Sequence, residues 1–147
     1  MSAGEMDLYE LLRSMDPELL PGEYVFTTAG KAPEGVVALC LFREPEGVTA
    51  ILAREDAERL GLTSSESWRL ITLRVHSSLA AVGFLARILP ELARNGIPAN
   101  VVSAYFHDHL FVPAGCAEEA LQLLRQLAGQ ADRFAQHEGE AGLRGQV

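Results

Sequence analysis

Apolar positions along the chain switch repeatedly between the three-to-four spacing of a helix and the alternation of a strand. Leu8, Leu11, Leu12 and Met15 stand at i, i+3, i+4 and i+7 and predict a short helix. Asp16-Pro17 stops it, and Pro21-Gly22 marks a turn. Glu23 to Thr28 (EYVFTT) is β-branched and aromatic, as in a strand. Gly30 to Gly35 reads as loop. Val36 to Phe42 (VVALCLF) is a near-continuous apolar run, the pattern of a strand covered on both faces. A turn at Glu44-Pro45-Glu46-Gly47 leads to a returning strand, Val48 to Ala53, and then a short helix, Glu55 to Leu60, ended by Gly61.

Thr63 to Ser67 is small and polar, the candidate boundary between two halves. Beyond it, Trp68 to Val75 alternates, with Trp68, Leu70, Thr72 and Arg74 on one face and Arg69, Ile71, Leu73 and Val75 on the other. His76-Ser77-Ser78 is the expected corner into a helix over 79–94, with Ser77 or Ser78 as its cap. The apolar stripe of that helix would be Leu79, Val82, Gly83, Ala86, Leu89 and Ala93, and Pro90 would kink or restart it. Asn95-Gly96 closes it. Pro98 to Tyr105 predicts a strand, Phe106 to His109 a turn, and Leu110 to Val112 the returning strand. Glu118 to Ala128 predicts a last helix with Leu121, Leu124 and Leu127 inward.

The first half thus reads αβββα and the second βαββα, which argues an α+β fold with helices packed on a largely antiparallel sheet. A βαββα run that gains one strand is the ferredoxin-like unit. Two such units are expected, the missing strand coming from the other half or from a second chain. The divisions implied are 1–66, 67–129 and a polar tail over 130–147 that is expected to fray.

Composition narrows the function classes. Twenty acidic against twelve basic residues give a net charge of −8 over 147 residues. Counted from the sequence, 1–66 holds thirteen acids and five bases, and 67–147 holds seven of each. No basic stripe faces a phosphate backbone, so nucleic acid is not an expected partner. No apolar run is long enough for a membrane span. Two cysteines, Cys40 and Cys116, are too few for a disulfide framework, and the chain reads as a cytoplasmic protein.

Candidate chemistry sits in the second half. The corner from His76 through Ser77, Ser78, Leu79, Ala80, Ala81 and Val82 to Gly83 is rich in small residues at the expected start of a helix. Free backbone N–H groups there suit a carboxylate or another anion, though serine is also the ordinary helix cap. His107-Asp108-His109 has a spacing used for metals, with His76 as the available third ligand. Polar hairpin residues satisfied locally, or a neutral histidine paired with Asp108 as general base, are the other readings. Cys116 precedes a helix without a protease-type or CxxC motif around it. No GxGxxG, P-loop, GxSxG or HExxH occurs, so no enzyme is expected.

The stretch TLRVHSSLAAVGFLARILPELARNGIPANVVSAYFHDHLFVP is similar to the second half of a family of small bacterial proteins built as tandem ACT domains. That family is related to the regulatory ACT domains of aspartokinase. DLYELLRSMDPELLPGEYVFTT and FREPEGVTAIL resemble its first half, so the likeness covers roughly residues 6–128. VHSSL…AVG and YFHDHLFVP are its specific segments, the tail after Gly129 lies outside it, and Pro90 departs from it.

The resemblance implies a regulatory fold that binds a free amino acid or similar metabolite where two domains meet. The loop carried over is His76 to Gly83, and the strand is Asn100, Val101 and Val102. Strand carbonyls near Val101, or Asp108, would receive the ammonium. A homodimer and no cofactor are expected. The alternatives are an interaction module without a ligand that modulates a partner protein, and a metal-dependent enzyme at His76, His107 and His109.

Overall fold

The computed structural model describes residues 3–62 and 66–143. In chain order the elements are α1 (Leu8–Arg13), β1 (Pro17–Leu19), β2 (Tyr24–Ala29), β3 (Cys40–Glu44), β4 (Gly47–Ala53), α2 (Arg54–Arg59), β5 (Trp68–Leu73), α3 (Phe84–Arg94), β6 (Asn100–Ser103), β7 (Asp108–Pro113), α4 (Ala117–Gly129) and α5 (Ala131–Leu143). The strands form a single sheet in the order β3-β4-β2-β5-β7-β6, with β1 also paired to β5. Every strand pair is antiparallel.

The strand missing from the second half is β1. Pro17 pairs with Leu73 and Leu19 with Ile71, and the Leu20 N–H donates to the Leu70 carbonyl at 2.9 Å. The chain then bends at Pro21-Gly22-Glu23, and Tyr24 at the start of β2 pairs with Trp68. Thus β1 and β2 are one bent strand that follows β5 along its length. Around β5, the set β5-α3-β6-β7-α4 with β1 forms one ferredoxin-like unit, completed by residues that precede it in the chain. The set β2-β3-β4-α2 with β5 forms the other, and β5 belongs to both. This second set has no helix between its first two strands: 30–39 is irregular.

Side-chain alternation divides the faces. Ile71, Leu73, Leu110 and Val112 pack with α1, α3 and α4 in the main core, where Leu11, Leu12, Met15, Ile88 and Leu124 are fully buried. A smaller cluster on the same face joins Val25, Ala50 and Leu52 to Ala57 of α2. Among the described residues, the opposite face carries no helix. There Tyr24, Phe26, Trp68 and Phe111 meet edge to face, with centroids 5.4–5.9 Å apart, and seal Ile51 and Leu70.

Several expected elements are corrected. The apolar run Val36 to Phe42 is not a strand covered on both faces. Val36 and Ala38 turn onto the small cluster where a helix is absent, and only Cys40–Glu44 is strand, at the edge of the sheet. Val37 is therefore 91% exposed and Phe42 65%. The helix expected over 79–94 begins at Phe84. Its buried stripe is Phe84, Ile88 and Leu92, whereas Leu79 and Val82 are exposed. It runs unbroken past Pro90, which faces solvent.

Asp108 and His109, expected in a turn, open β7. The strand β1 is absent from the prediction because Pro17 and the charged Glu18 do not resemble a strand until β5 is there to pair with them. The tail expected over 130–147 is helical over Ala131–Leu143. It is held by Ala131 in the core, by Phe134 under the Arg87 guanidinium at 5.4 Å, and by Asp132 on Arg13 at 2.6 Å. Of the candidate boundary, residues 63–65 lie outside the described residues.

Candidate functional site

At the end of β5 the chain leaves the sheet. Arg74 and Val75 donate to the carbonyls of Asp16 and Met15, and the Ser77 N–H returns to the Val75 carbonyl at 3.0 Å. Ser78 makes a local turn: its hydroxyl accepts from the Ala80 N–H at 3.2 Å and its carbonyl from the Ala81 N–H at 2.9 Å. Gly83 then adopts φ +90°, a left-handed conformation that side chains avoid, and its carbonyl accepts the first helical bond, from Arg87. This residue, not a serine, is the N-cap of α3. The first N–H groups of a helix have no partner within it, and here they belong to Phe84, Leu85 and Ala86.

Facing them is Asp108, the first residue of β7, opposite Leu73 on one neighbour and Ser103 on the other. It is 6% exposed. Its Oδ2 accepts from the Ser77 hydroxyl at 3.0 Å, and its Oδ1 accepts from the Ser103 hydroxyl. Among the described residues no cationic side chain pairs with it. An ionised carboxylate has about four acceptor positions, so two hydroxyl donors leave it with capacity for a further donor. Burial without a cation is costly unless such a partner arrives.

Between Asp108 and the start of α3 lies a pocket of about 160 Å³, lined by Ser77, Ser78, Leu79, Ala81, Gly83, Phe84, Leu85, Ala86, Ser103 and Asp108. Its two ends are electrically opposite: a positive helix terminus and a carboxylate.

Six of the residues singled out from the sequence meet here: Ser77, Ser78, Leu79, Ala81, Gly83 and Asp108. The others lie elsewhere. His76 meets Phe106 at a tilt of 56° with ring centroids 5.0 Å apart, and lines a neighbouring cavity of about 250 Å³ with Gly4 and Tyr105. Ala80 and Val82 face solvent. Asn100, Val101 and Val102 lie along β6, the outer strand of the sheet, on alternating faces: Val101 on the helix-side core and Val102 on the helix-free face. Ser103, Phe84, Leu85 and Ala86 line the pocket but are not among the site residues read from the sequence. The left-handed Gly83 is the one signal that could have placed the helix start there.

The histidines do not converge. His107 Nδ1 lies 3.2 Å from the Val75 carbonyl and His109 Nδ1 2.9 Å from the Thr72 hydroxyl, with the two rings 6.5 Å apart. Asp108 points to the helix side of the sheet and His109 to the other. Burial lowers the His109 pKa below the ordinary imidazole value, His107 adds to this, and Asp108 opposes it. His109 and Cys40 border an apolar cavity of about 310 Å³ on the helix-free face. Among the described residues, no group of three or more His, Cys, Asp or Glu could hold a metal.

Comparison with known proteins matches an ACT domain over residues 3–69 and another over residues 63–126. A protein of unknown function from Vibrio cholerae, a possible transport protein, is 50% identical; the match covers 78% of this chain and 89% of that one, with a TM-score of 0.72. The ligand-free regulatory subunit of aspartate kinase from Thermus thermophilus shares the fold at 11% identity and a TM-score of 0.59, over 78% of this chain and 97% of that one. A protein from Agrobacterium tumefaciens does so at 19% identity and 0.58, over 76% and 87%. No curated protein matches. No helix among the described residues is long and apolar enough to cross a membrane.

Proposed function

This chain belongs to the ACT-domain family, with two such domains in tandem, and from that premise we propose that it is a non-catalytic regulatory protein that binds a small free amino acid in the Ser77–Asp108 pocket. The observation that carries the reading is Asp108: buried, held by two serine hydroxyls, without a cation, and facing the open end of α3. A zwitterion fits that polarity. Its ammonium would sit on Asp108 and its carboxylate on the N–H groups of Phe84 to Ala86.

The pocket, at about 160 Å³, is on the scale of one free amino acid. The lining has no Lys or Arg, which disfavours an acidic side chain. Homodimerisation and a cytoplasmic location are part of the same proposal.

The test is a melting curve against each of the twenty amino acids at millimolar concentration. A ligand at 100 times its Kd adds about 2.7 kcal/mol, a shift of roughly 5–10 °C at this size. One small neutral amino acid should give that shift, and Asp108→Asn should abolish it. A flat panel would overturn the reading and favour an interaction module without a ligand. The observation behind that second reading is the apolar edge at Val37, Leu39, Leu41 and Phe42, a surface suited to another protein.

A further inference from the structure

We infer that Gly4 and Glu5 are positioning residues for the Ser77–Asp108 pocket, their backbone holding the 76–78 loop in the register the pocket requires. The inference rests on the amino-acid-binding reading of that pocket, and concerns what sets its affinity.

After Leu73 the 74–78 segment has no sheet neighbour of its own. Its backbone is bonded instead to the N-terminal segment on both sides of α1. Arg74 and Val75 donate to Asp16 and Met15 at 3.3 and 3.4 Å, both long. The shorter bonds come from the strap before α1. The Glu5 N–H donates to the His76 carbonyl at 2.8 Å, and the Ser78 N–H donates to the Glu5 carbonyl at 2.9 Å, so that Glu5 and Ser77 form a parallel bridge. These bonds flank the residue whose hydroxyl holds Asp108.

Gly4 makes this approach possible. A Cβ there would stand 2.6 Å from the Ser78 nitrogen, 2.7 Å from the Ser77 carbonyl carbon and 2.8 Å from the Ser78 Cα. All three are backbone atoms, with no rotamer to move aside. The strap runs into the N-cap of α1, Asp7: the Glu5 carboxylate accepts from the N–H groups of Met6 and Asp7 at 2.7 and 2.8 Å, and Leu11 and Leu12 of that helix are fully buried. Ser77, Ser78 and Leu79 border the ligand pocket on one side and the strap-side cavity on the other, so the loop is a thin wall with the strap behind it. Because the strap is largely exposed, lifting it is a local event and leaves the core intact.

The decisive variant is Gly4→Ala, compared with Gly30→Ala, where an added methyl meets nothing within 4 Å. Gly4→Ala should melt close to the control, exchange the Ser78 amide proton faster, shift the backbone amide signals of Ser77 and Asp108, and bind the amino acid that stabilises the wild type on the order of tenfold more weakly. Unchanged affinity in Gly4→Ala, or a melting loss far beyond the control, would overturn the positioning role. If the wild type binds no amino acid, the functional reading fails separately. The exchange and amide-shift measurements on the ligand-free protein still decide whether the strap sets the loop: faster exchange and shifted signals support it, and unchanged ones overturn it.

Discussion

The two ferredoxin-like units share β5 and diverge in almost everything else. The unit built from β5, α3, β6, β7, α4 and β1 encloses the large core of leucines, isoleucines and Phe84, and holds a buried carboxylate at its loop end. The unit built from β2, β3, β4, α2 and β5 has a cluster of four buried residues, Val25, Ala50, Leu52 and Ala57, and an irregular segment over 30–39 in place of its first helix. In the richer unit the strand-to-helix joint supplies unpartnered N–H groups beside Asp108. In the poorer one there is no helix to supply them. A pocket of about 280 Å³ there is lined by Ala32, Pro33, Glu34 and Leu60, without a buried charge. The same topology thus builds a polar pocket only where a helix is retained after the first strand.

The comparison can be broken most severely at the N-terminus. Deleting residues 1–20 removes α1 and β1 from the richer unit, and with them Leu11, Leu12 and Met15, all fully buried. Cooperative unfolding, followed by circular dichroism in urea, should disappear. Persistence of a single sharp transition would show that the large core does not depend on this segment.

Single truncations sharpen the contrast. Leu12→Ala should cost about 3–5 kcal/mol in urea unfolding, within the range for a fully buried leucine. Leu52→Ala, equally buried but beside a short helix and an irregular segment able to collapse, should fall nearer 2 kcal/mol. Equal losses would mean that the smaller cluster is as rigid as the larger.

The smallest effect concerns pH. His109 has its pKa lowered in the folded chain, so the unfolded chain binds more protons below about pH 6.5. Its contribution is fully present above that value and is lost as pH falls toward the folded pKa. His109→Gln should therefore flatten the decline in stability between pH 7 and pH 5, measured by urea titration at each pH. An unchanged decline would place its origin in other groups.

Much of this was legible in the residues. The spacing of Leu8, Leu11, Leu12 and Met15 gave α1, the alternation of 68–73 gave β5, and Leu121, Leu124 and Leu127 gave the inner face of α4. What stayed hidden depended on partners distant in the chain. Pro17-Glu18-Leu19 has no strand pattern of its own, and becomes β1 because β5 offers an open edge. The run from Val36 to Phe42 is apolar enough for a central strand, yet whether a strand is central or outermost is decided by what pairs beside it. The apolar spacing by itself starts α3 several residues early, because Leu79 and Val82 continue it. Only the backbone at Gly83 breaks it. The site was legible to the same degree: Ser77, Ser78 and Asp108 from the residues and the family likeness, Ser103 and the α3 N–H groups only from the fold.

The completion of the later unit by the earliest strand has a consequence for synthesis. A growing chain emerges from its N-terminus at roughly 5–20 residues per second. The residues of α1 and β1 therefore appear before those of their partners β5, α3, β7 and α4. Until α4 has left the ribosome, Leu11, Leu12 and Met15 lack part of the native surface they bury against. An apolar segment made before its partners is fully sheltered only after them, and nascent chains stalled before α4 should be the forms that chaperones hold.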